Sequence, residues 1–149
     1  MRVEFILNGK QVQVEGSASD RLLDILREHF DLTASKEGCG EGECGTCTIL
    51  MNGDAVLACL TPLVQLEGSE ILTLEGVAAN PAAKDFLERF VAKGGTQCGA
   101  CTPGILVNAW QLHQEDSSQN RDQLRKSLSG NLCRCTGYES ILQALEGEE

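Results

Sequence analysis

Gly38-Cys39-Gly40-Glu41-Gly42-Glu43-Cys44-Gly45-Thr46-Cys47-Thr48 is the stretch on which the reading of this chain turns. Three cysteines stand in the pattern C-x4-C-x2-C, and a fourth, Cys59, follows Cys47 after eleven residues. A loop that must wrap an inorganic core needs soft thiolate ligands and backbone N–H groups aimed at the sulfurs. It also needs glycine, which adopts positive φ and lets the backbone approach closely. Gly38, Gly40, Gly42 and Gly45 meet that need, and the spacing is the plant-type arrangement of [2Fe–2S] ligands. A structural zinc site competes with this reading, but zinc favours compact knuckles with about two residues between paired cysteines.

Working outward, the first half reads as β-rich with one helix. Val3, Phe5 and Leu7 alternate, Asn8-Gly9 marks a tight turn, and Val12 and Val14 alternate again. Ser19 is expected to cap a helix carrying Leu22, Leu23, Ile25 and Leu26. Thr48–Met51, Asn52-Gly53 and Ala55–Cys59 read as a second hairpin that returns Cys59 to the glycine loop, and Ile71–Leu74 as a last strand. Two hairpins, a crossing helix and a final strand predict a β-grasp sheet wrapped over one helix.

The second half reads as helical over 82–93, 103–115, 121–129 and 138–146. Gly94-Gly95 and Gly130 act as stops, and Thr102 and Pro103 suit a helix start. Asn80-Pro81 marks the linker. Cys98 and Cys101 precede the second of these helices, and Cys133 and Cys135 the fourth. Helix N-termini favour anions, so a four-helix bundle with pseudo-two-fold symmetry around one metal site is expected. Spacing alone leaves zinc open for this second set. The fold class is thus α+β: a ferredoxin-like [2Fe–2S] domain over 1–76 and a helical [2Fe–2S]-binding domain over 77–149.

Composition narrows the functions. The chain has 149 residues, eight cysteines and a formal net charge of −10. Residues 1–76 hold 13 acidic and 5 basic side chains, net −8, and residues 77–149 hold 9 and 7, net −2. A nucleic-acid binder needs a basic surface, so that class is excluded. No stretch approaches the roughly 18 apolar residues of a membrane span. The N-terminal residues lack the pattern of an export signal. The expected compartment is the cytoplasm, where thiols stay reduced and clustered cysteines point to metal or redox chemistry.

The glycine loop, Gln97-Cys98-Gly99-Ala100-Cys101-Thr102-Pro103-Gly104 and Gly130-Asn131-Leu132-Cys133-Arg134-Cys135-Thr136-Gly137-Tyr138 together resemble the iron–sulfur subunit of the molybdenum hydroxylases, the xanthine dehydrogenase, aldehyde oxidoreductase and carbon monoxide dehydrogenase family. The likeness covers roughly residues 3–145. Ala100 stands where an aromatic is common and Thr46 where alanine is common; neither removes a ligand. The resemblance implies two [2Fe–2S] clusters, one on Cys39, Cys44, Cys47 and Cys59 and one on Cys98, Cys101, Cys133 and Cys135. It implies a molybdopterin-binding large subunit as partner, with Gln97 and Cys135 beside the pterin. It also implies an FAD-binding medium subunit, in a heterotrimer or a dimer of heterotrimers. Electrons would run from molybdenum through the helical-domain cluster, then the ferredoxin-like one, towards FAD or another acceptor. The chain is too short for a flavin or molybdenum domain and is not expected to turn over substrate alone.

Other polar residues carry plainer expectations. Trp110 falls on one helical face with Leu106 and is expected in the core. His29 and His113 are isolated and are not expected to ligate. Asp20, Asp24 and Glu28 recur along the first helix as a solvated face. Arg134, between two cysteines, either offsets cluster charge or is a surface residue. The competing functions are a free-standing two-cluster ferredoxin or redox sensor, and a zinc-bound adaptor. Iron and sulfide content separates the adaptor from the others. Co-purification with large subunits separates the ferredoxin from the hydroxylase subunit.

Overall fold

The computed structural model describes residues 1–146; the last three positions of the expected 77–149 unit lie outside the described residues. Strand β1 (Arg2–Leu7) pairs antiparallel with β2 (Lys10–Glu15), and β3 (Thr48–Met51) with β4 (Asp54–Leu57). Both hairpins turn on Asn-Gly pairs with positive φ at each residue: Asn8 and Gly9, Asn52 and Gly53. That is the geometry whose twist matches a two-residue hairpin. Strand β5 (Glu70–Leu72) enters between them, parallel to β1 and antiparallel to β3. The sheet order is β2-β1-β5-β3-β4.

Val3, Phe5, Leu7, Ile49 and Ile71 bury one face of this sheet against Leu22, Leu23, Ile25 and Leu26. These four come from a short helix α1 (Leu22–Asp24) that continues as a wider-wound turn over Ile25–His29. The helix starts later than expected, and Ser19 does not cap it. Its hydroxyl bonds Ser17, while the Leu22 N–H, an orphan donor at the helix start, is satisfied by Thr61 O at 2.8 Å.

The expected strand over 71–74 is shorter. Thr73 leaves the sheet because the Asn8 side chain accepts its N–H at 2.9 Å and donates to its hydroxyl at 3.0 Å. Leu74 then opens helix α2 (Leu74–Ala79), which sequence reading missed and which crosses position 76. Cys59 lies just past β4, in a tight helical turn over Ala58–Leu60.

The four expected helices form as α3 (Lys84–Ala92), α4 (Thr102–Glu115), α5 (Arg121–Ser127) and α6 (Glu139–Leu145). Helix α3 stops at Gly94, whose φ of +74° lets the Gly95 N–H reach Phe90 O at 2.9 Å. Asn120 and Gln123 form a reciprocal cap at the start of α5. Asn80 is not a bare linker: its side chain caps a short turn over Pro81–Ala83. Phe86, Phe90, Ile105, Trp110, Leu124, Ile141 and Leu145 fill a second core. Trp110 is buried there, with Phe86 and His113 rings at 5.4 and 5.6 Å from its own.

Candidate metal centres

The first four cysteines stand in the loop before β3 and in the turn after β4. Gly40, Gly42 and Gly45, at φ of +66°, +81° and +74°, curl the loop so that its N–H groups turn inward. Glu41, Glu43 and Cys44 donate their N–H groups to Cys39 Sγ at 3.3, 3.3 and 3.4 Å. These three donors, with Glu41 the strongest, draw the Cys39 thiol down to about 6, so negative charge on that sulfur is favoured. Cys47 and Cys59 are buried, and the Cys59 N–H donates to Cys47 Sγ at 3.4 Å. Burial pushes the Cys47 thiol up to about 11. The thiols stand in pairs, Cys39 with Cys44 and Cys47 with Cys59. A Cβ on Gly38 would lie 2.7 Å from Cys44 Sγ, so glycine is what leaves that sulfur its place.

The loop is anchored by residues that sequence reading did not single out for it. Arg21 forms a two-pronged bond with Asp24 and a further ion pair with Glu37, two residues before Cys39. Asp24 therefore does not belong to a purely solvated face. The Arg27 guanidinium donates to Thr33 O and Ser35 O, at 3.0 and 2.9 Å, and fixes the chain leading in.

The second set lies at one end of the helical half. Cys98 pairs with Cys135, and Cys101 with Cys133. Cys101 occupies the cap position of α4, and Cys98 stands in the turn before it. Cys133 and Cys135 precede α6, but the intervening cap residue is Tyr138, in the left-handed region at φ +69°. The Tyr138 hydroxyl accepts the Cys133 N–H and donates to Asn131 O, both at 2.8 Å. Thr136 Oγ1 lies 3.1 Å from Cys133 Sγ. Burial would push Cys133 up, but the Thr136 hydroxyl and neighbouring donors outweigh it and hold that thiol below its ordinary value. Burial raises Cys101 to about 12. Gln97, Cys98, Arg134 and Cys135 are exposed on one rim, with Leu132 55% exposed beside them. His29 and His113 join neither set.

The two sets are joined by direct backbone contact. The Leu132 N–H donates to Cys44 O at 2.8 Å. The buried Asn131 amide donates to Gly45 O at 3.1 Å and to Thr48 Oγ1 at 3.2 Å. Helix α4 closes on the same loop: a Cβ on Gly104 would stand 2.4 Å from Gly45 O.

Among the described residues no three His, Cys, Asp or Glu side chains converge as the ligands of one metal ion do. Four soft thiols in two pairs, with N–H donors turned on a sulfur, fit an iron–sulfur core in each set.

Comparison with known proteins agrees. Residues 8–90 match a family described as a 2Fe-2S iron-sulfur cluster binding domain, and residues 73–146 one described as a [2Fe-2S] binding domain. The nicotinate dehydrogenase small FeS subunit of Eubacterium barkeri is 44% identical over 139 residues, covering 93% of this chain and 88% of that protein. Quinoline 2-oxidoreductase from Pseudomonas putida 86 contains a chain with TM-score 0.88 and 42% identity, covering 97% of this chain and 90% of that one. Aldehyde oxidase 2 of Mus musculus is 37% identical over 154 residues, spanning 95% of this chain but 11% of that much longer protein.

Proposed function

Because the chain belongs to the family of iron–sulfur subunits of the molybdenum hydroxylases, we propose that its two thiol sets carry the two halves of an electron relay. Electron transfer within a multi-subunit oxidoreductase is its function. The finer reading assigns Cys39, Cys44, Cys47 and Cys59 to one [2Fe–2S] site and Cys98, Cys101, Cys133 and Cys135 to the other. These eight cysteines would hold the two cores through their thiolates. When bound, such a core supplies one-electron storage at a potential that its surroundings tune.

The chain's own residues do the rest. The N–H groups of Glu41, Glu43 and Cys44 hold a negative sulfur at Cys39. Burial of Cys47 and Cys59 keeps water from one side of the first site. Tyr138 and Thr136 brace Cys133. In this reading the strands and α1 form a β-grasp unit that ends within α2, near position 76, and α3 to α6 form a four-helix bundle.

The observation that carries the reading is the pair of four-thiol sets with their loops in direct contact. The rim of Gln97, Cys98, Arg134 and Cys135 is exposed, which suits the side that meets a catalytic partner. Gln97 and Cys135 would there lie against the pterin of a molybdopterin-binding large subunit. An amide that both donates and accepts suits the polar edge of such a heterocycle. An FAD-binding medium subunit would take electrons from the first site. No helix among the described residues is long and apolar enough to cross a membrane, and the proposed compartment is the cytoplasm.

The test uses the assembled complex. The chain should co-purify with a large molybdenum-containing subunit, and Gln97→Ala should keep both iron–sulfur signals but slow their reduction by substrate. An unchanged reduction rate, with chemistry shown not to be limiting, removes Gln97 from the relay.

A further inference from the structure

We infer that Asn131 is a positioning residue for the step between the two iron–sulfur sites, holding the Leu132 N–H on the Cys44 carbonyl as the bridge between them. The inference rests on the ligand assignment above and goes beyond it by naming the contact that joins the sites.

The Cys44 carbonyl belongs to a proposed ligand of the first site, and Leu132 directly precedes Cys133, a proposed ligand of the second. One hydrogen bond of 2.8 Å closes the gap. The residues on either side of that bond are fixed from several directions. Asn131 is 4% exposed, so each polar atom of its side chain needs a partner. Its Nδ2 donates to Gly45 O and Thr48 Oγ1, on the first-site side. Its Oδ1 accepts from Asn108 Nδ2 at 2.8 Å, and the same Nδ2 donates to Ser127 O at the end of α5 at 2.9 Å. Its carbonyl accepts the Tyr138 hydroxyl, which in turn accepts the Cys133 N–H.

The step itself is simple in balance. One electron leaves the second site, which is oxidised by one, and enters the first, which is reduced by one. No bond breaks, so at given potentials the protein contributes the distance and the continuity of the path. A rigid, fully satisfied polar clamp is suited to that task. Gly45 shows how closely the clamp is drawn: a Cβ there would lie 2.1 Å from Gly130 O.

The experiment uses the full chain isolated with its iron and sulfide. Asn131→Asp keeps an acceptor for Asn108 but loses both donations to the first loop. Thr48→Val removes one acceptor of the clamp and serves where Asn131→Asp fails to load. Three quantities are read without kinetics of electron transfer: the midpoint potential of each site, the magnetic splitting between the two reduced sites, and hydrogen exchange of the Leu132 amide. The rate of electron exchange between sites is read after rapid one-electron injection. The expected result is near-parental potentials in Thr48→Val and lowered ones where the Asn131→Asp carboxylate ionises, with faster Leu132 exchange, a smaller splitting and exchange between sites slowed about tenfold in both, the order by which losing an outer-shell partner lowers activity at a metal site. Faster Leu132 exchange with an unchanged splitting and rate overturns the inference. A parent chain without two iron–sulfur signals overturns the ligand assignment instead, which keeps the two failures apart.

Discussion

Gly104→Ala sets two effects of opposite sign against each other. Gly104 lies in the first turn of α4, and an alanine in an unencumbered helix gains about 1 kcal/mol over glycine. Here the added Cβ would stand 2.4 Å from Gly45 O and 3.2 Å from Thr46 O, both backbone atoms. Overpacking of this kind costs about 1–3 kcal/mol. The loop has little room to yield, since Asn131 and the Leu132 N–H hold its carbonyls from the other side. The upper end of that range therefore applies, and the net loss is about 2 kcal/mol. At a urea slope of about 2 kcal/mol per molar, the midpoint falls by roughly 1 M. Gly130→Ala is the control, because nothing lies within 4 Å of its Cβ position, and a change within about 0.5 kcal/mol is expected. The assay follows helical signal and iron–sulfur absorbance of the loaded chain in urea. A Gly104→Ala midpoint equal to or above the parent's refutes the close approach of α4 to the first loop.

Four further substitutions separate the parts. Cys44→Ser should remove the first iron–sulfur signal and leave the helices folded, whereas Cys101→Ser should remove the second and loosen the helical core, because metal binding there is partly folding energy; circular dichroism with paramagnetic resonance checks both. Tyr138→Phe deletes a hydroxyl that serves Asn131 and Cys133, at about 1–3 kcal/mol for two part-buried hydrogen bonds, and should lower the thermal stability of the second signal more than that of the first. The Glu139 carboxyl is held below its ordinary range by the Arg121 guanidinium, then by Gln143. A lowered acid pKa stabilises the fold above the unfolded value, and that help is lost as pH falls through the folded one. Arg121→Met should therefore lower the melting temperature most at neutral pH, flatten its fall through the glutamate range, and converge with the parent in acid.

The parts of the fold governed by local rules were legible in the sequence. Two Asn-Gly turns and the alternation of Val3, Phe5 and Leu7 announce the hairpins, and the four later helices follow from apolar spacing and glycine stops. Local rules failed where distant partners decide. Asn8 takes the N–H and hydroxyl of Thr73, 65 residues away, and so ends β5 early and starts α2. Thr61 O, not Ser19, satisfies the start of α1. The thiol sets were readable because ligand spacing is a chemical constraint on sequence. The clamp was not: Asn131 and Gly45 are 86 residues apart, and nothing in either segment reveals that they touch. The only trace was the place of Asn131 two residues before Cys133 in the third motif.

Iron and sulfide analysis of the chain, joined to paramagnetic resonance of its reduced form, tests the central claim most directly. Two [2Fe–2S] sites require about four irons and four sulfides per chain and two distinguishable signals. Zinc in place of iron, or a single signal at full iron loading, contradicts the assignment of the eight cysteines to two electron-carrying sites.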